Sequence, residues 1–166
     1  MSDSRVVEIL KKAIILERQG YSFYKEVADR TESEAVKNIF SIMAEEEQKH
    51  EALLISQAER FQRGDGFYGR FGLEKPNEFV AGVLSPRIRE QITASGYEAA
   101  AISAAVAMEE KAVELYSGRA EESDDETEKG LYRELARWEK THLSFLNEIY
   151  QDLLESSWYD SNFWPF

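Results

Sequence analysis

Both histidines of the chain close a Glu-x-x-His, Glu47 to His50 and Glu139 to His142, and the two motifs lie 92 residues apart. At the same offset, Glu17 matches Glu109, each 30 residues upstream of the Glu of its motif. Glu and His at i and i+3 share one face of a helix, so each motif offers an oxygen and a nitrogen to one ion. Two motifs plus two further carboxylates make a set that can hold two metal ions inside a helix bundle. The mixed oxygen and nitrogen donors suit iron or manganese, with zinc as a substitute. These residues point to a di-metal redox site.

Positioning six such donors requires four helices, and the apolar spacing supplies them. Leu10, Ala13, Ile14, Glu17, Tyr21 and Tyr24 follow three-and-four spacing, as do Val36, Ile39, Phe40, Met43, Glu47, His50 and Leu54. In the second half Ile102, Val106, Glu109, Val113 and Tyr116 form one stripe, and Leu135, Glu139, His142, Leu146, Ile149 and Leu153 another. The candidate ligands stand within these stripes, where an unpaired carboxylate is costly. Glu45, Glu46, Glu51 and Glu110 crowd the motifs and are expected to be solvated.

Helices are predicted at 4–29, 32–62, 96–121 and 124–155. The capping pairs Thr31 with Glu34 and Ser123 with Glu126 repeat at the 92-residue offset, Ser95 with Glu98 starts the third helix, and Asp3 starts the first. Tyr24 matches Tyr116 and Ala44 matches Ala136, so the halves read as an internal duplication. The prolines avoid the candidate helices, and five of the nine glycines lie between Gly64 and Gly82. The expectation is one all-α domain over 1–166, an antiparallel four-helix bundle of two helix-pair repeats. Helical pair 4–62 is followed by a long crossover 63–95, helical pair 96–155 and an aromatic tail 156–166. The crossover is long enough to run the length of such a bundle. Ser85-Pro86 is placed to start a short extra helix, and Phe61, Phe67, Tyr68, Phe71 and Phe79 to pack on the bundle.

A chain of 166 residues buries about 70% of its unfolded surface, enough for a real core. It contains no Cys, which excludes disulfides, thiolate zinc sites and Cys-ligated iron–sulfur or rubredoxin centres within it. The net charge of −12 argues against nucleic acid or an anionic membrane as partner. Met1 to Val7 has neither the basic nor the apolar region of a signal peptide, and Ala99 to Met108 is too short to span a membrane. A soluble cytoplasmic protein is expected.

Glu17 with Tyr24, Glu47-Gln-Lys-His50, Glu109 with Tyr116 and Glu139-Lys-Thr-His142 resemble a rubrerythrin-type member of the ferritin-like di-iron superfamily. The likeness covers both helical pairs. It implies a ferritin-like bundle holding two iron ions per chain. Glu47 and Glu139 would bridge them, Glu17 and Glu109 would be terminal carboxylates, and His50 and His142 terminal imidazoles. It also implies reduction of hydrogen peroxide or dioxygen, with a ferroxidase or iron-handling protein, or a non-catalytic metal-binding module, as the alternatives. Two departures stand out. The rubredoxin domain usual in rubrerythrins is missing from this sequence, so electrons would come from a separate rubredoxin-like donor. Val106 occupies the place of an extra Glu three residues before Glu109. A homodimer is the simplest assembly.

Tyr24 and Tyr116 read either as core aromatics or as phenols that hydrogen-bond a ligand carboxylate on a neighbouring helix. Gly20 and Ala112, three residues after Glu17 and Glu109, read as close helix packing or as room beside the metals. Trp158, Tyr159, Phe163, Trp164 and Phe166 read as packing residues or a docking peptide.

Overall fold

The computed structural model describes residues 3–69 and 96–160, with the side chains of 4–69 and 96–155. These form four helices: α1 (Asp3–Arg30), α2 (Glu34–Gln62), α3 (Tyr97–Glu122) and α4 (Glu126–Asp160). There is no strand among the described residues, and the chain is an all-α four-helix bundle. None of these helices is long and apolar enough to cross a membrane.

Two short turns make two antiparallel hairpins, α1 on α2 and α3 on α4, and α1 also packs against α3. Contacts at both ends set that last pairing. Thr31 Oγ1, in the first turn, donates to Glu98 Oε1 at the start of α3 (2.8 Å), while Arg5 near the start of α1 pairs with Glu122 at the end of α3 (2.7 Å). The helices α1 and α3 are therefore antiparallel. It follows that α2 ends at the opposite end of the bundle from the start of α3. The connection therefore joins two helix ends that stand a bundle length apart, about 40 Å for helices of this size. Its first residues are held by a buried glutamine: Gln57 Nε2 donates to the Tyr68 carbonyl (3.0 Å) and Gln57 Oε1 accepts from Tyr68 N–H (2.9 Å). Gly64, at φ +83°, takes the left-handed conformation that ends α2. Phe61 and Phe67 pack on the bundle, whereas Tyr68 is half exposed under the Arg60 guanidinium. Phe71, Phe79, Ser85 and Pro86 lie outside the described residues, as do Ser95 and the tail from residue 161.

Among the described residues the hydrophobic core forms two clusters. Each draws on all four helices. The first holds Tyr24 and Val27 of α1, Val36 to Ala44 of α2, Ala101 to Ala105 of α3, and Phe145 to Leu153 of α4. The second holds Val6, Leu10 and Ala13, then Leu54, then Ala112 to Ala120, then Leu131 to Ala136. On each helix the candidate ligands stand between the two clusters. The bundle is thus a polar slab between two apolar ends.

The helix starts differ from the sequence expectation. Ser33, not Thr31, caps α2, its Oγ accepting from Val36 N–H (3.3 Å), while Thr31 Oγ1 accepts from Ser33 N–H. Asp125, not Ser123, caps α4, its carboxylate accepting from Thr127 and Glu128 N–H (2.7 and 3.0 Å). Ser123 is instead the C-cap of α3. Both turns contain several cap-competent residues, and the one directly before the helix wins because its oxygen reaches the free N–H groups with least chain distortion. At α3 the cap is Gly96, with no side-chain hydrogen bond. The helix α4 continues to Asp160, five residues past the expected end, since no Gly or Pro interrupts 131–160.

The turn between α3 and α4 carries a feature that the other half lacks. Buried Arg119 holds Glu128 by Nε–Oε1 (2.8 Å) and Nη2–Oε2 (2.7 Å), and Ser123 Oγ adds a bond to Glu128 Oε2 (2.6 Å). At the repeat offset the counterparts are Val27 and Val36, both fully buried. One turn is clamped by an ion pair and the other by two valines.

Candidate metal centre

Each helix contributes to the slab where its apolar stripe is broken by an acid. The helix α1 brings Glu17, α3 brings Glu109, α2 brings Glu47 and His50, and α4 brings Glu139 and His142. None of the six is more than 4% exposed. Glu17, Glu47, His50 and Glu139 place one donor atom each within 4.8 Å of one another, and so do Glu47, Glu109, Glu139 and His142. Glu47 and Glu139 belong to both groups. Each group can hold a metal ion, and the shared carboxylates lie between them.

Buried polar atoms normally find hydrogen-bond partners. Here, among the described residues, Glu17 Oε2, Glu47 Oε1, both nitrogens of His50 and both oxygens of Glu139 have none. His50 Nδ1 approaches Glu139 Oε1 (3.0 Å) and Glu17 Oε2 (3.4 Å), and His142 Nδ1 approaches Glu139 Oε2 (3.3 Å), Glu109 Oε1 (3.5 Å) and Glu47 Oε1 (3.6 Å). These donor atoms converge on two neighbouring points of the slab. A cation at each group would satisfy them together.

The tyrosines explain how the terminal acids are held. Tyr24 of α1 donates its O–H to Glu109 Oε1 of α3, and Tyr116 of α3 donates to Glu17 Oε1 of α1. The two bonds are related by the duplication and strap together helices from different hairpins. Tyr116 leaves Glu17 Oε2 facing His50 Nδ1, whereas the Glu109 Oε1 that Tyr24 holds is itself the oxygen nearest His142 Nδ1.

Electrostatics follow from four acids in a dry space. Burial, then the charges of Glu139 and Glu17, holds the Glu47 carboxyl well above the usual range. Burial, then Glu139, pushes Glu109 up to about 8. For Glu139 burial acts upward too, but the imidazoles of His50 and His142 outweigh it and hold the group below the usual range. Burial would lower His50, yet Glu139 and Glu17 raise it to about 10; the acids around His142 raise it as well. Burial and the adjacent carboxylates push both tyrosines up. Glu47, Glu109 and both imidazoles thus keep their protons to higher pH than free side chains do, and Glu139 gives its proton up at lower pH.

The rubrerythrin family matches residues 8–150, which reaches into all four helices and includes all six candidate ligands. The chain belongs to the rubrerythrin family. No curated protein and no solved structure matches it. Membership of the rubrerythrin family suggests a di-iron carboxylate protein, and the buried carboxylate and imidazole groups fit a metal site. Val106, in place of the extra Glu of many rubrerythrins, packs against the first apolar cluster.

Two residues of this rubrerythrin centre escaped the sequence reading. Trp138 is buried with its ring edge-on to both imidazoles, 5.8 Å from His50 and 6.2 Å from His142, between centroids. Its spacing, three after Leu135 and four before His142, was the available signal. Glu46, expected to be solvated, is buried and paired with Lys49 (2.8 Å). It is the repeat counterpart of Trp138, so both positions flank the slab. Glu45 and Glu110 are exposed, and Glu51 is partly covered and paired with Arg18.

Proposed function

We propose that this protein is a di-iron oxidoreductase that reduces hydrogen peroxide, or dioxygen, with electrons from a separate donor protein. The observation that carries the reading is the pair of donor groups sharing Glu47 and Glu139 inside a slab closed at both ends by apolar clusters. Glu17 and His50 would complete one iron site, and Glu109 and His142 the other. Bound iron supplies one-electron redox chemistry at two adjacent centres. The chain's own residues do the rest. Tyr24 and Tyr116 orient the terminal carboxylates, and their O–H groups are the nearest protein protons to the oxygens they hold. The aromatic and aliphatic walls exclude bulk water, which strengthens every charge interaction in the slab. Manganese or zinc could occupy the same donors. With no cysteine in the sequence, a rubredoxin-like carrier would bring the electrons, and a homodimer is the proposed assembly.

The test is anaerobic loading with ferrous iron, metal quantification, and optical stopped-flow mixing with peroxide or with dioxygen. Two irons per chain, oxidised faster by peroxide and lost in Glu47→Ala and His142→Ala, support the peroxidase reading. Faster oxidation by dioxygen moves it to ferroxidase or oxidase chemistry. Failure to bind two irons overturns the di-iron centre.

A further inference from the structure

Gly20 lies buried in the middle of α1, three residues after Glu17. Glycine there weakens the helix relative to alanine, so its presence needs a reason. A Cβ at this position would stand 3.1 Å from Glu47 Oε2, 3.2 Å from Glu47 Cδ and 3.3 Å from Glu47 Cγ. Carbon contacts are optimal at about 3.5–4.0 Å. The space of the missing methyl is thus taken by the acidic arm of Glu47, neither empty nor filled by a neighbouring backbone.

The duplication is broken at this point. Ala112, three residues after Glu109, keeps its methyl and buries it in the second apolar cluster. The two shared carboxylates are accordingly held in different ways. Glu139 lies between both imidazoles, at 3.0 Å from His50 Nδ1 and 3.3 Å from His142 Nδ1. Glu47 meets an imidazole at 3.6 Å, with its Oε1 unpaired, and rests its arm against α1 where the side chain is absent.

We propose that Gly20 is a positioning residue for the metal centre: its missing side chain is what allows the Glu47 carboxylate to lie in both donor groups at once. An alanine there would push the arm of Glu47 by a few tenths of an ångström, away from one group or the other. The inference rests on the six slab residues being the metal ligands.

Cobalt(II) is a suitable probe, because its visible spectrum reports donor geometry without turnover. Anaerobic titrations would compare the parent, Gly20→Ala, Glu47→Asp, the double variant, and Gly118→Ala, each with a melting curve of the chelator-treated protein. Gly118 is a glycine inside α3 where an added Cβ meets nothing within 4 Å, so it controls for helix propensity. The expected result is that Gly20→Ala binds the cobalt pair at least ~10-fold more weakly, with an altered spectrum, as for other residues that orient ligands. The shorter aspartate vacates the contested space, so the double variant binds no more weakly than Glu47→Asp alone. Gly118→Ala melts no lower than the parent and binds like it. If Gly20→Ala also lowers the metal-free melting temperature, Glu47→Asp restores it.

Parent affinity and spectrum in Gly20→Ala overturn the proposal. So do losses that multiply in the double variant, or a lowered melting temperature that Glu47→Asp leaves unchanged; these make Gly20 a packing residue. A parent that fails to take two cobalt ions overturns the di-metal reading instead, and the proposal with it.

Discussion

At the residue scale, the two terminal acids are held alike by phenols and the two shared acids are held in different ways. Tyr24 and Tyr116 are the simplest case, because each makes one hydrogen bond to one terminal carboxylate. Replacing either by Phe keeps the ring in its cluster and removes only the O–H. Partners of this kind typically cost 10–100-fold in metal affinity, so Tyr24→Phe and Tyr116→Phe are each expected to weaken metal binding about 10-fold. A titration with manganese(II) checks it, and a loss is expected in both variants because the two tyrosines match at the repeat offset. Unchanged binding in both would reduce the tyrosines to packing. The slab residues themselves were legible because six donors, including both histidines, recur at one offset. Trp138 was not, because its repeat counterpart is Glu46 and no offset links the two types. Nor could sequence show what Gly20 leaves room for, since that depends on the path of a side chain from α2.

Among the elements, the two hairpins share a plan but close their turns differently. Arg119 and Glu128 are buried together where the other half has Val27 and Val36. Removing one partner of a buried ion pair strands the other charge and typically costs about 3–5 kcal/mol, whereas replacing both with packed apolar residues is often neutral. Arg119→Val or Glu128→Val alone should therefore destabilise by roughly that amount. The double variant, which copies the first hairpin, should recover most of it, as measured by denaturant unfolding with m-values checked for constancy. A double variant as unstable as the worse single one would mean that the ion pair organises the turn beyond neutralising its own charges. The helices were readable from spacing to within a few residues. Their caps were not, because Thr31-Glu32-Ser33 and Ser123-Asp124-Asp125 each offer several oxygen-bearing side chains, and geometry alone selects among them.

For the whole molecule, the slab is where four helices either repel or hold one another, and proton occupancy decides which when metal is absent. Glu109 titrates at about 8 when folded against about 4.3 for a free Glu, and His50 at about 10 against about 6.5. Both values are raised, so the folded state binds more protons than the unfolded chain between each pair of values. Stability from these groups is present in full below the free values and is lost as pH rises through the folded ones. Glu47 and His142, also raised, act in the same direction, and Glu139, lowered, contributes nothing that changes above neutrality. The chelator-treated protein should therefore lose several degrees of melting temperature between pH 7 and about 9.5. With metal bound, the ions replace the protons and the donors are already deprotonated, so the loaded protein should hold its melting temperature over that range. At free metal about 1,000-fold above Kd, each ion adds roughly 4 kcal/mol. The gap between the two melting curves should widen with pH, because fewer protons compete for the donors. Scanning calorimetry of both forms at three pH values decides it. A metal-free protein whose melting temperature stays level or rises over this range would mean that the acids are neutralised by some means other than their own protons and the two imidazoles.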